Sequence, residues 1–518
     1  MDSWTTTPAS PSRRANPESD RVFSRTADRP GNARGSVALC SGVAGCVTIV
    51  MDRFARTPRH WPSFVQKLSP WPGPSSPQSS PKGAQDGSPM TEDAAAHQTG
   101  LAAADRIIEI RSIARPATRR LTVWLLIQAF ALYGVYGAVA AVLIPNQLSI
   151  IDPANKINDF AIIATVFAAV ATLSQPLIGA FSDRTRSRFG RRALWMLVGA
   201  SLGSAALRAL SASHSVVAVG LFAAALSLGI NSLISPLTAT LPDRYAVRRR
   251  GGASAMIGAG TMLGATIGSV IAGIMAAQLG VAYVAFAVAL LVLTLLFLVL
   301  NRDYSSKDLS LERFSARVFI GQFWLSPRKH PEFGWVFLAR FLFVLGFSSV
   351  STFTYFLLTD YAGLSLAQAN ASVGVVGLAA LPGMVIAVLL TGFLADRMGR
   401  RKIFMWIGSG VMIAGLVVPI VSPTLLGITV MSMMTGFGYG AYQASDVVLM
   451  TQVLPNGGSA AGKDLGILNM ATGIPTAVAP ALAAAVIGTV FGFHGLFVVA
   501  GVIVLVGALA IIPVKSVR

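Results

Sequence analysis

Two related stretches, Gly179-Ala-Phe-Ser-Asp183-Arg184-Thr-Arg-Ser-Arg-Phe-Gly190-Arg191-Arg192 and Gly392-Phe-Leu-Ala-Asp396-Arg397-Met-Gly399-Arg400-Arg401, each lie between two apolar segments long enough to cross a bilayer. In both, an acid follows a glycine by four residues, one helical turn, and a Gly-Arg-Arg triplet closes the segment. The acid can accept from N–H groups at the next helix start or pair with arginines, and the glycine lets a neighbouring helix come close. A duplicated basic hairpin inside a hydrophobic chain points to a two-repeat membrane carrier.

The composition agrees. The chain has 518 residues, 53% of them hydrophobic and 12% charged, with a mean hydropathy of +0.64. That is too apolar for a soluble protein of this length. Apolar windows run at 121-144, 159-181, 193-211, 216-240, 252-276, 281-300, 333-358, 369-394, 403-421, 424-449, 464-488 and 493-513. A hydrocarbon core of about 30 Å needs roughly 20 helical residues, and nearly all of these windows meet that length. Continuous apolar runs give no support to a barrel of alternating strands. The expected fold is an all-α membrane protein of twelve transmembrane helices in two six-helix bundles.

Lys and Arg crowd the segment before the first window, every second loop, and the tail; Lys156 and Arg208 lie near the opposite face and Arg340 inside a window. By the positive-inside rule both termini and both hairpins are expected in the cytoplasm, with the plasma membrane as the expected location. Anionic lipid at the inner face accounts for the net charge of +19 without a nucleic-acid partner. Residues 1-115 read as a disordered extension and leader, rich in Ser, Pro, Arg and Gly. Within it Met90 is a plausible alternative start, and Cys40 and Cys46, with no nearby histidine, make neither a zinc site nor a disulfide framework. The remaining boundaries are a first bundle at 116-300, a linker at 301-332, a second bundle at 333-513 and a tail at 514-518.

The repeat extends beyond the hairpins. Leu241-Pro242 and Leu454-Pro455 follow Asp183 and Asp396 at the same interval. Six spans plus six in parallel repeat mark a carrier that rocks two bundles about a central site. Here the residues carry a family likeness. The Gly-x-x-x-Asp-Arg-x-Gly-Arg-Arg pattern resembles the cytoplasmic signature loop of the major facilitator superfamily, over about residues 115 to 515. The expanded first copy, Ser182 to Arg192, and the run Gly462-Lys463-Asp464-Leu465-Gly466-Ile467-Leu468-Asn469 resemble the sugar:cation branch, which includes sucrose/proton and glycoside-pentoside-hexuronide:cation symporters. That resemblance implies uptake of a sugar or glycoside coupled to a cation, without an organic or metal cofactor, by a protein expected to be monomeric. Melibiose-type sodium carriers keep acids in the second span, and residues 160 to 181 contain none, so a proton is the expected coupling ion. The antiporter signature pairs span-five glycines with a proline; Gly260, Gly264 and Gly268 occur without it. Efflux of a drug-like solute by the same fold is the alternative, since fold does not fix substrate. An enzyme is not expected, because the spans show no nucleophile-base pairing, metal cluster or phosphate-binding glycine loop.

Ionisable groups inside spans are the candidates for transport chemistry, because a charge at the bilayer centre costs about 2.5–3.5 kcal/mol even on lenient scales. Arg340 in the seventh span and Asp446 in the tenth lie at similar depth, so a direct pair is feasible. Tyr439, Tyr442 and Gln443 share the face of Asp446 at about 100° per residue. Hydroxylated aromatic rings suit a sugar, apolar on its face and polar at its rim. Asn231 on the fourth span and Gln128 and Tyr136 on the first complete the candidate solute contacts. In the superfamily spans one, four, seven and ten line the cavity, which the resemblance carries over to these residues. The functional reading makes Asp446 a proton carrier whose charge state is coupled to the approach of Arg340; the competing reading is a permanent structural ion pair. The hairpin residues Gly179, Asp183, Arg184, Gly190, Arg191, Arg192, Gly392, Asp396, Arg397, Gly399, Arg400 and Arg401 are expected to form an inner gate whose arginine contacts break on opening inward.

Overall fold

The computed structural model describes residues 119–303, 305–306, 331–398, 400–453 and 461–514, with the backbone alone at Val247, Asp396, Arg401, 447–453 and 461–469. The expected extension 1-115 with Cys40 and Cys46, most of the linker, Gly399, Leu454-Pro455 and the side chains of the Gly462–Asn469 run lie outside the described residues.

Every apolar window is helical, the seventh with a break. The first bundle comprises α1 (Arg119–Ile151), α2 (Lys156–Arg184), α3 (Arg191–Ser211), α4 (Val216–Arg244), α5 (Val247–Met275) and α6 (Leu279–Leu300). The second comprises α7 (Pro331–Ser351), α8 (Leu366–Met398), α9 (Arg401–Val421), α10 (Leu425–Val453), α11 (Ala461–Ile487) and α12 (Gly492–Leu509). Several helices outrun their windows at the hairpin end: α2 takes in Asp183 and Arg184, and α4 takes in Asp243 and Arg244. Burial of apolar side chains sets the windows, whereas backbone hydrogen bonding carries each helix into the polar rim.

Two irregularities follow from particular residues. Pro145 has no N–H to offer Ala141, and the preceding turn Val139–Leu143 widens to a π-helix in which Ile144 N–H bonds the Val139 carbonyl. The seventh window, expected as one helix to residue 358, instead breaks after Ser351 and continues as Thr354–Phe356 and a π turn at Leu357–Tyr361. Tyr361 then anchors this extension by donating its hydroxyl to the Pro419 carbonyl of α9 at 2.7 Å.

Packing repeats with the sequence. In the first bundle α1 packs on α5 and α6, α3 on α4 and α6, and α2 on α4; in the second α7 packs on α11 and α12, α9 on α10 and α12, and α8 on α10. Each pairing maps onto the other by adding six. The bundles meet along two seams that the same operation exchanges, α2 with α11 and α5 with α8. Matching glycines mark the repeat: a Cβ at Gly199 would strike the Gly229 carbonyl between α3 and α4, and one at Gly408 would strike that of Gly438 between α9 and α10. Such close approaches give helices in lipid the van der Waals contact that a hydrophobic driving force cannot supply there.

The halves converge at the end remote from the hairpins. There Lys156 of α2 pairs with Asp360 beyond α7 at 2.7 Å. Phe160 packs edge-on against Phe353 and Phe356 at 5.6 and 5.3 Å. On the other seam, Gly273 and Gly374 leave no room for a Cβ against Asn370 and Val270. Towards the hairpin end a Cβ at Gly251, Gly252 or Gly258 of α5, or at Gly392 of α8, would meet nothing within 4 Å. Among the described residues, the contacts between the bundles named here thus gather at the end remote from the hairpins.

Candidate functional site

The spans bring Arg340 and Asp446 into direct contact. Arg340 Nη1 donates to Asp446 Oδ2 at 2.7 Å, and Arg340 Nε donates to Thr472 Oγ1 of α11 at 3.0 Å. Asp446 is wholly buried and Arg340 is 12% exposed. Among the described residues, the second carboxylate oxygen, Asp446 Oδ1, is buried without a hydrogen-bond partner, as is the Tyr442 hydroxyl. An ion pair removed from water holds its charges only where the remaining lone pairs are satisfied, and this one is satisfied on one oxygen. Thr472 was not a candidate from sequence, because a threonine in an apolar helix carries no signal until its neighbour is known.

An aromatic wall connects the pair to a cavity. Tyr442 stacks face to face on Phe343 with centroids 3.8 Å apart, and Tyr439 stacks on Phe347 at 4.4 Å. Gln443 donates to the Tyr439 hydroxyl at 3.2 Å. Tyr439 and Phe347 border a cavity of about 340 Å³ between α1 and α5 of the first bundle and α7 to α10 of the second. A neighbouring cavity of about 230 Å³ lies between α1, α2, α7 and α11. Tyr136, Ser351 and Thr354 line both. The larger cavity is mainly apolar, with Met384, Met412, Leu416 and Met431 beside the hydroxyls of Thr266 and Thr435.

The other candidates fall elsewhere. Tyr442 is fully buried in the α7–α10 core, so its ring supports the wall and does not face the cavity. Gln128 is buried between α1 and α6, donating to Thr294 Oγ1 at 2.9 Å, rather than pointing at a solute. Asn231 turns back on its own helix, donating to the Ser227 carbonyl at 2.8 Å, as small polar side chains do where no better acceptor is near. Of the polar residues proposed for the solute, Tyr136 and Tyr439 line a cavity and Arg340 and Asp446 lie behind it.

The first hairpin is a compact charge network. Arg192 is buried and bonds Asp183 at 2.6 Å, Asp243 at 3.1 Å and Ser182 at 3.2 Å; Arg191 reaches Asp243 at 2.7 Å. Gly190 supplies a backbone φ of 96°, which a side chain disfavours, and so turns the chain into α3. Asp243 was missed, although the Leu-Pro repeat ends beside it. The described partners all belong to α2, α3 and α4, within one bundle. Gly179 sits against Ser235 of α4, serving the same bundle. Arg184 bonds back to the Ala180 carbonyl at 3.1 Å. In the second hairpin Arg397 and Arg400 are exposed, while Gly399 and the side chains of Asp396 and Arg401 lie outside the described residues.

Two matched six-helix bundles facing each other across a cavity, with a charge pair buried beside it, define a membrane transporter. A profile of the Major Facilitator Superfamily matches residues 124–462 and 381–517, and the chain belongs to that family. No curated protein sequence matches it. Among solved structures it is similar to a bacterial homolog of the human lysosomal transporter Spinster in an inward-facing, unoccupied conformation, at 14% identity and a TM-score of 0.59, covering 77% of this chain and 98% of that one. It is also similar to the nucleoside transporter NupG, at 14% identity and a TM-score of 0.61, covering 76% of this chain and 98% of that one. At such identities the likeness establishes the fold.

Proposed function

We propose that the chain is a proton-coupled transporter of a small organic solute, a sugar or glycoside, working by alternating access with the hairpins and both termini in the cytoplasm. The observation that carries the reading is Asp446, wholly buried and paired with Arg340, two helical turns along α10 from Tyr439, which lines the cavity. Protonation of Asp446 ends its ionic attraction for Arg340, and a change in the charge of a buried pair is large enough to bias a two-state packing. The pairing holds α7 to α10, so the proton and the shape of the cavity wall are linked.

The lining supports this solute class. Tyr136, Thr266, Ser269, Ser351, Thr354, Ser432, Thr435 and Tyr439 offer hydroxyls, and most of the remaining wall is apolar. A glycoside with an apolar aglycone matches both parts. The methionine-rich lining also favours a second reading, efflux of an apolar drug-like solute, because flexible thioether side chains adapt to varied shapes.

Reconstitution into proteoliposomes, with uptake of a panel of labelled mono- and disaccharides and aryl glycosides, tests the proposal. Uptake of at least one member is expected to rise when a proton gradient is imposed. Failure of every sugar, together with resistance to apolar toxins in cells expressing the protein, would favour efflux.

A further inference from the structure

Thr472 occupies a position that none of its neighbours shares. Its hydroxyl receives Arg340 Nε at 3.0 Å, placing it in contact with the charge pair. The next residue, Gly473, is where α11 crosses α2 of the other bundle: a Cβ there would lie 2.8 Å from both Oγ1 and Cγ2 of Thr172. Thr172 is itself fixed, its hydroxyl bonded to the Ala168 carbonyl at 2.8 Å. Two hydrogen bonds and one peptide unit therefore connect Asp446, through Arg340, to the α2–α11 seam between the bundles.

We propose that Thr472 is the positioning residue that transmits the state of the Arg340–Asp446 pair to that seam, so that changing the pair changes how the bundles lean. The proposal rests on the pair acting in transport, as inferred above. A guanidinium bonded at two nitrogens to two different helices cannot follow one partner without pulling on the other. When Asp446 is charged, Arg340 ties α7 to α10 and α11 together. When it is neutral, the ionic hold that orients the guanidinium is lost, and its bond to Thr472, with the tie on α11, is released with it. Because Gly473 leaves no slack against Thr172, a shift of α11 there must move α2. Among the described residues, the ionisable groups that act on Asp446 are Arg340 from α7 and the tyrosines Tyr439 and Tyr442 of its own helix. On α9, Lys402 is engaged with the Val514 carbonyl.

The test is a double-mutant cycle read as a distance, which needs no solute. Spin labels at Arg248→Cys on α5 and Arg397→Cys on α8, in the full chain with Cys40→Ser and Cys46→Ser, report the separation of the bundles at the hairpin end. The measured quantity is the ratio of open to closed populations from pulsed dipolar spectroscopy in nanodiscs, across pH 5 to 8. Thr472→Val should change that ratio by about fivefold, the scale of one lost hydrogen bond. It should have no further effect when Asp446→Asn is already present, and Thr472→Ser should restore the parent ratio. Thr472→Ala serves as a second hydroxyl deletion if the valine variant does not fold. Equal effects of Thr472→Val with and without Asp446→Asn, or a parent ratio in both hydroxyl deletions, would overturn the proposal. The pH arm reports separately on the proton reading: a ratio independent of pH with the cycle still coupled removes the proton and keeps Thr472.

Discussion

Arg340 and Asp446 are costly residues in a membrane, and what offsets the cost is specific to each. Among the described residues Asp446 is held by Arg340 alone, whereas Arg340 also has Thr472. Removing the guanidinium alone leaves an uncompensated buried anion, and Arg340→Met is expected to destabilise the protein by about 3–5 kcal/mol. The double variant Arg340→Met, Asp446→Leu should recover most of that loss, measured by thermal unfolding in detergent. At this scale the sequence was informative where charge stood against an apolar background. Arg340 and Asp446 were legible, down to their pairing, because few charges interrupt the spans. Thr472, Asp243 and the inward turn of Gln128 and Asn231 were not legible, because hydroxyls and amides can bond their own helix, a neighbouring helix or a solute with equal local cost.

Helix pairs inherit their geometry from glycines, which the sequence displays without saying what they approach. Gly260, Gly264 and Gly268 were noted for lacking the antiporter proline; in the structure they are the face on which α5 lies against α1, at the carbonyls of Leu126, Phe130 and Gly134. Gly264→Ala should cost about 1–3 kcal/mol by overpacking, lowering the monodisperse fraction in size-exclusion chromatography. Gly258→Ala on the same helix meets nothing within 4 Å and should leave that fraction unchanged. Helix number and order were legible because apolar run length directly reflects bilayer thickness. The break after Ser351 was not, since Thr352 and Phe353 are ordinary members of an apolar run and tertiary contacts of Phe353 and Tyr361 decide it.

For the whole molecule, the two-fold repeat of packing and the convergence of the bundles at one end describe one state of a pair of rocking bodies. The Lys156–Asp360 pair and the Phe160 cluster hold that end shut. Both charged side chains are partly exposed, at 19% and 28%, so the pair alone is worth at most about 1 kcal/mol after screening. Asp360→Asn is therefore expected to raise labelling of a cysteine at Ala164, which lines the cavity beneath this cluster, by a few-fold, and Phe353→Ala by more, because the apolar contact is the larger part of the closure. The described contacts of the first hairpin lie within one bundle, and the proposed route from Asp446 to the other bundle runs through the α2–α11 seam.

The central claim, that Asp446 carries the coupling proton, is tested most directly in proteoliposomes with whichever panel solute the wild type accumulates. Asp446→Asn should abolish accumulation driven by the proton gradient while retaining exchange of labelled for unlabelled solute at equal pH. Accumulation by Asp446→Asn to the wild-type level would contradict it.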